Sequence, residues 1–352
     1  MRGRKKTMFI CQSVRQTLVG AVFVFCLPVC AWAEPTRLIY DTDMGNDIDD
    51  ALALAVIHAL QSRGECELLA VTVTKDSELA APFVDALNTF YGRGDIPIGM
   101  VRQGKTPEDG KFLPLAKERD QGDLRYPHDL ATAKDAPAAV SLLREILAVQ
   151  PDHSVAMVQV GFSTNFARLL ESPADKHSPL NGWELVAKKG SFLSLMAGAF
   201  QTIDGNNHFC EYNVVQDIEN ATKLVAGWPT PVVFSGFEIG YSIRTPMESI
   251  ENDFQYCEHH LIPEAYRLYC RPDENRPTWD LTSVLYAIRP DRNYFSLSAP
   301  GRVTVESDGF TRFSIDASGQ HQFLIATPSQ QVRVQEALVQ LSSQPPQWRA
   351  ED

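Results

Sequence analysis

Five aspartates, Asp41, Asp43, Asp47, Asp49 and Asp50, fall within ten residues of the stretch YDTDMGNDIDDALALA that begins at Tyr40. Carboxylates crowded this closely raise one another's pKa unless a cation neutralises them. Capping of a following helix by Asp47 or Asp49, and the field at a helix N-terminus, account for one or two of the five. Oxygen-only ligation by the others suits a hard cation, Ca²⁺ or Mg²⁺. An EF-hand loop is excluded: counted from Asp41, its glycine position is Asn46 and its twelfth position is Leu52. Phosphatases whose nucleophile is the first residue of Asp-x-Asp share DTD with this chain, but not the DIDD and helix that follow at once.

The elements that must position these acids alternate β-rich and helix-period runs. RLIY reads as a buried strand and DDALALAVIHALQS as a helix, then ELLAVTVT as a strand, APFVDALNTFYGRG as a helix and IPIGM as a strand. After a loop from about Gln103 to Lys134, a helix with an Asp135 cap and Pro137 in its first turn is expected. SVAMVQVG, SFLSLMAGAF and TPVVFSG read as further strands, and STNFARLLES, DIENATKLVAGW, DLTSVLYAIRP and QQVRVQEALVQLSS as helices. RVTVESDGFTRFSID with HQFLIA reads as a small β-hairpin near the C-terminus. The alternation predicts an α/β fold, a mostly parallel open sheet covered by helices. The aspartates fall at the carboxyl end of its first strand, the edge where such sheets bind ligands.

Residues 1–33 read as a signal peptide: basic MRGRKK, an apolar run broken by Pro28, and Ala-Trp-Ala before Glu34. A lipoprotein attachment at Cys30 is disfavoured by Val29 at the preceding position. In a bacterium, export to the periplasm or medium with no retained membrane anchor follows, leaving 34–352 as a single domain. Cleavage would remove five of the 32 basic residues and none of the 44 acidic ones, leaving 27 basic against 44 acidic, a formal charge of −17. That surface argues against nucleic-acid and anionic-membrane partners. A homo-oligomer is compatible with it. Of the four cysteines left, Cys66, Cys210, Cys257 and Cys270, the last two could close a short disulfide loop in an oxidising compartment.

The acidic stretch resembles the signature of the inosine–uridine-preferring nucleoside hydrolases, Asp-x-Asp-x-Gly followed by Asp-Asp-Ala and a helix. It reads here as Asp41, Asp43, Gly45, then Asp49-Asp50-Ala51, with two extra residues between the glycine and the pair. Further family landmarks follow in order. VGFSTNFARLL resembles its Gly-Pro-Leu-Thr-Asn segment, SLMAGAF its Met-Gly-Gly strand (Met196), NNHFCEYNVVQDIENATKLV its Asn…Glu-Phe-Asn stretch, and RPTWDLTSVLYAIRP its His-Asp-x-x-Ala segment.

The resemblance implies a calcium-dependent hydrolase of the N-glycosidic bond of a small-molecule ribonucleoside. It puts Ca²⁺ on Asp43, Asp50, Asp280 and the carbonyl of Thr164, with Asp43 as general base and Asp41 behind it. Asp49, Glu211, Asn213 and either Asn206 or Asn207 would grip the ribose. Two further departures concern the base. Trp279 stands where many relatives carry a histidine, and could stack on the departing base. Lys75-Asp76 stands where they carry Gly-Asn. His128, His208, His259 and His260, on loops near the expected mouth, are candidates for a leaving-group acid, His128 being carried among the substrate contacts. A Ca²⁺-dependent ribose- or nucleoside-binding protein that has lost hydrolysis is the alternative that Trp279 keeps open.

Overall fold

Strand β1, Thr36–Thr42, is apolar on both faces because it lies inside a parallel sheet. Leu38 and Tyr40 enter one hydrophobic cluster and Ile39 the other, so successive side chains anchor opposite layers of the molecule. The structure is a computed structural model that describes Gly3 and residues 34–347; the expected signal peptide lies almost wholly outside the described residues. The described residues from Glu34 onward belong to one compact unit.

The other main strands are β2 (Cys66–Lys75), β3 (Ile98–Lys105), β4 (Val155–Gln159), β5 (Gly190–Met196), β6 (Val232–Ser235), β7 (Gly301–Val305), β8 (Thr311–Ile315) and β9 (His321–Ile325). They stand in the order β8-β7-β9-β6-β5-β4-β1-β2-β3, with Ser296–Leu297 paired on β9. Pairing is parallel from β9 through β6 to β3. The expected hairpin, β7 with β8, is antiparallel, and through β9 it extends the sheet rather than standing apart.

From β1 the chain proceeds outward through β2 and β3, then returns to place β4 on the other side of β1. The carboxyl ends of β1 and β4 therefore flank a topological switch point, where parallel strands leave a crevice.

Helix Asp49–Ser62 begins where the sequence suggests, but Ile48 rather than Asp47 or Asp49 is its N-cap and no side chain caps it; its residues from Asp49 to Leu60 are buried. A helix apolar on all sides needs cover on all sides. The sheet supplies one, and the helices Trp279–Ile288 and Pro328–Ser342 pack on others. The helix after the long loop starts later than expected. It runs Ala139–Ala148 with Ala138 as its N-cap, while the Asp135 carboxylate instead accepts from the Thr132 amide. The loop itself carries one 3₁₀ turn, Leu113–Lys117, and a two-residue hairpin. The disulfide between Cys257 and Cys270 is not formed: all four cysteines among the described residues are free thiols, Cys270 buried and Cys257 half-buried. No helix of the described residues is long and apolar enough to cross a membrane.

Candidate active site

The switch point opens into a cleft of about 350 Å³ lined by acids and aromatic rings together. Asp43 follows β1, and Asp49 and Asp50 open the next helix, so the loop 43–50 curls over the sheet edge. Two glycines make that curl possible. Gly45 has a φ of +112°, and a Cβ at Gly161, after β4, would lie 2.4 Å from the Asp43 amide nitrogen. Asp280 arrives from the far end of the chain in the first turn of helix Trp279–Ile288. Its backbone amide donates to Asp49 Oδ2 at 3.2 Å, which locks the two segments together.

One carboxylate oxygen from each of Asp49, Asp50 and Asp280 lies within 4.8 Å of the others, and all three residues are buried. Burial pushes all three carboxyls well above the usual carboxylate range, and their neighbours' negative charge adds to the effect. Thr42 Oγ1 bonds Asp50 Oδ1, while Asp50 Oδ2 is buried with no hydrogen-bond partner. Oxygen donors converging on a negative centre, one of them an orphaned buried atom, fit a hard divalent cation.

Asp43, 4 % exposed, accepts a hydrogen bond from Asn46 Nδ2 at 2.7 Å. Burial raises its pKa to about 6. Asp41 sits one layer below, fully buried. Its Oδ1 accepts from Thr72 Oγ1 at 2.5 Å and Asn165 Nδ2 at 2.9 Å, and burial raises its pKa to about 8. Thr72 and Asn165 thus anchor Asp41 beneath the loop, while its Oδ2 is buried with no hydrogen-bond partner.

On the opposite wall Glu211 caps the helix Tyr212–Gln216, accepting from the amides of Asn213 and Val214 and also from Gly198. Burial raises its pKa to about 7. Asn213 Nδ2 donates to the Val160 carbonyl at 2.7 Å and contacts Met196 Sδ at 3.4 Å, fixing its amide at the cleft. Trp279 donates from Nε1 to the Phe237 carbonyl at 2.9 Å, with the two ring centroids 5.2 Å apart.

The fold brings Asp43, Asp49, Asp50, Glu211, Asn213, Trp279 and Asp280 to this one cleft. It does not bring the remaining expected residues there. Thr164 is the first residue of helix Thr164–Glu171, buried behind the cleft, with its hydroxyl on Asp217 Oδ2 at 2.6 Å. The residue after β4 that does line the cleft is Val160. Asn206 is exposed and turns back on Ile203, and Asn207 lines a separate groove with Phe209 and Phe310. His128 Nδ1 is spent on the Tyr126 carbonyl at 2.7 Å. His208 pairs with Asp308, His259 lies beside Glu264, and His260 is buried beneath Phe90, Phe254 and Tyr256. No histidine is among the cleft-lining residues.

The sequence alone does not point to several lining residues, Asn46, Val160, Tyr212, Phe237, Tyr269 and Arg276, and it marks Asp47 only as a helix cap. Tyr212 lies between two expected residues, and Phe237 follows a strand whose end had to meet the carboxyl edge, so position alone could have found both. Tyr269 and Arg276 carry no local signal.

Residues 38–339 match the family model described as inosine-uridine preferring nucleoside hydrolase. A pyrimidine-specific ribonucleoside hydrolase RihA from Shewanella sp. (strain ANA-3) is 26 % identical over 281 residues, 72 % of this chain and 78 % of that protein. Among solved structures, an inosine-uridine preferring nucleoside hydrolase from Bacillus anthracis superposes with a TM-score of 0.65 at 15 % identity, covering 88 % of this chain and 99 % of the other. An inosine-guanosine nucleoside hydrolase gives a TM-score of 0.65 at 21 % identity, covering 87 % and 98 %.

Proposed function

From a chain that belongs to the inosine-uridine preferring nucleoside hydrolase family, and so to the N-ribosyl hydrolases, we propose calcium-dependent cleavage of a ribonucleoside into ribose and free base. The observation that carries the proposal is the meeting of Asp49, Asp50 and Asp280 in a cleft that Asp43 and several aromatic rings also line. Asp50 and Asp280 would hold the ion with Asp43, although the carboxylate oxygen grouped with theirs in the structure is that of Asp49, and Val160, which lines the cleft, would offer its carbonyl in place of Thr164. A divalent cation bound there supplies a template for vicinal hydroxyls and makes a nearby water more acidic.

The protein's own groups do the rest. Asp43 removes a proton from the water as its oxygen bonds C1′ and the C1′–N bond breaks. The base leaves with the bonding electron pair and is protonated from solvent. Positive charge develops on the ribose in the transition state, and the surrounding acids favour it. Asp49, Glu211 and Asn213 hold the sugar hydroxyls. Tyr212, Phe237 and Trp279 offer ring faces to a planar base, which would stabilise the departing group where no histidine reaches it.

Residues 1–33 are proposed as a cleaved export signal, so that salvage occurs in the periplasm. Mass spectrometry of the secreted protein should find Glu34 at the N-terminus.

Ribose release from a panel of nucleosides, with and without EDTA, tests the activity. Activity on ribonucleosides, loss with EDTA and loss in Asp43→Ala are expected. Because a hydroxyl-binding site penalises a missing partner, 2′-deoxyribonucleosides should react at least ~10³-fold less efficiently. Binding of nucleoside and Ca²⁺ without ribose release would instead support a binding protein.

A further inference from the structure

Two departures from the family signature meet in space. Asn46 lies in the lengthened stretch between Gly45 and the Asp49-Asp50 pair, and Lys75-Asp76 stands where relatives carry Gly-Asn. Lys75, at the end of β2, is 1 % exposed, and its Nζ donates to Asn46 Oδ1 at 2.8 Å and to the Thr106 carbonyl at 2.9 Å. Asn46 Nδ2 in turn donates to Asp43 Oδ2 at 2.7 Å and to Thr106 Oγ1 at 3.1 Å.

An ammonium group can only donate. Facing Lys75, the Asn46 amide must therefore present its oxygen, and its NH₂ is committed to the other side, where Asp43 stands. A rotated amide would set N–H against N–H at Lys75 and oxygen against oxygen at Asp43. The cation thus removes the two-fold ambiguity of the amide, and the amide fixes one oxygen of Asp43.

We propose that Lys75 and Asn46 form a positioning relay for Asp43, the lengthened loop and the lysine acting together. Lys75 touches no substrate in this arrangement; it acts through Asn46, which aims the carboxylate. The inference rests on the nucleoside-hydrolase reading of Asp43. Asp76 takes no part, its Oδ2 accepting from the Gly104 amide at 2.9 Å.

A double-mutant cycle tests the relay. Lys75→Met and Asn46→Ala should each lower kcat about tenfold with KM within about twofold, and the double variant should fall no further, because groups acting in series are not additive. Asn46→Asp keeps the size and the Lys75 bond but replaces the donor by an acceptor, so it should lose at least as much as Asn46→Ala. Losses that multiply to about a hundredfold in the double variant would overturn the relay, as would turnover retained in Asn46→Asp. Thermal melts of each variant show whether it is folded, and Asn46→Asp carries the test if Lys75→Met is not.

A wild-type protein that releases no ribose from any nucleoside refutes the hydrolase reading separately. The same cycle is then read in Ca²⁺ affinity by calorimetry, where single losses that do not add support the relay. Losses that add, or no Ca²⁺ binding at all, overturn it.

Discussion

Arg276 and Asp47, 229 positions apart in the chain, meet in a two-pronged ion pair at the cleft, and the guanidinium carbon lies 5.3 Å from the Trp279 ring centroid. The pair ties the acidic loop to the segment that carries Trp279 and Asp280. It also sets a positive charge against one acid of the cluster, Asp47, whose negative charge bears on Asp43, Asp49, Asp50 and Asp280. A guanidinium over an aromatic face adds cation–π attraction to this arrangement.

Arg276→Gln should release Asp47 and uncover Trp279 together. Steady-state kinetics are expected to show a several-fold rise in KM for the nucleoside with a smaller change in kcat, and Asp47→Asn a weaker version of both. An unchanged KM in Arg276→Gln would mean that the pair does not shape the base side of the cleft.

Metal removal should be visible without turnover. A ligand present at about 100 times its Kd contributes about 2.7 kcal/mol to stability, so EDTA should lower Tm by several degrees and Ca²⁺ should restore it. Asp50→Asn should show little response to either reagent. A melt of the wild type indifferent to EDTA and Ca²⁺ would count against the ion.

Gly240 packs against the backbone of Trp279, where a Cβ would stand 2.3 Å from the Trp279 Cα. Gly240→Ala should therefore push helix Phe237–Ser242 away from Trp279–Ile288, costing about 1–3 kcal/mol in urea unfolding. The displaced Phe237 and Trp279 rings should also raise KM. A variant with wild-type stability would show that the two helices separate freely.

His58 makes a pH-dependent contribution to folding. It is fully buried, with Nε2 on Asn88 Oδ1 at 2.8 Å and Nδ1 facing Arg93 Nη1 at 3.3 Å. Burial and the arginine lower its pKa from 6.5 to about 3. Below pH 6.5 the unfolded chain takes up a proton that the folded one refuses, so stability falls as pH drops towards 3, by about 1.4 kcal/mol per unit. Between pH 7 and 4.5 the wild type should lose about 2–3 kcal/mol more than His58→Gln. Equal losses would show that His58 is protonated in the folded state.

The sequence by itself determined the α/β class, the placing of the acidic loop at a strand-to-helix junction, and the order of the segments that follow. Those properties are local: apolar period, turn residues and charge density are written within a dozen residues of one another. It also marked Glu211, Asn213, Trp279 and Asp280, because each sits in a short segment with a recognisable neighbourhood. Tertiary structure alone decided that Val160 rather than Thr164 lines the cleft: Val160 directly follows strand β4, whereas Thr164 opens the next helix with its hydroxyl on Asp217. It alone brought Arg276 to Asp47 and Lys75 to Asn46, and it left Asn206, Asn207 and the histidines outside the cleft. Such pairings depend on which strand stands beside which and on where a loop turns back. A string of residue types does not encode those relations locally; the packing of the whole sheet sets them.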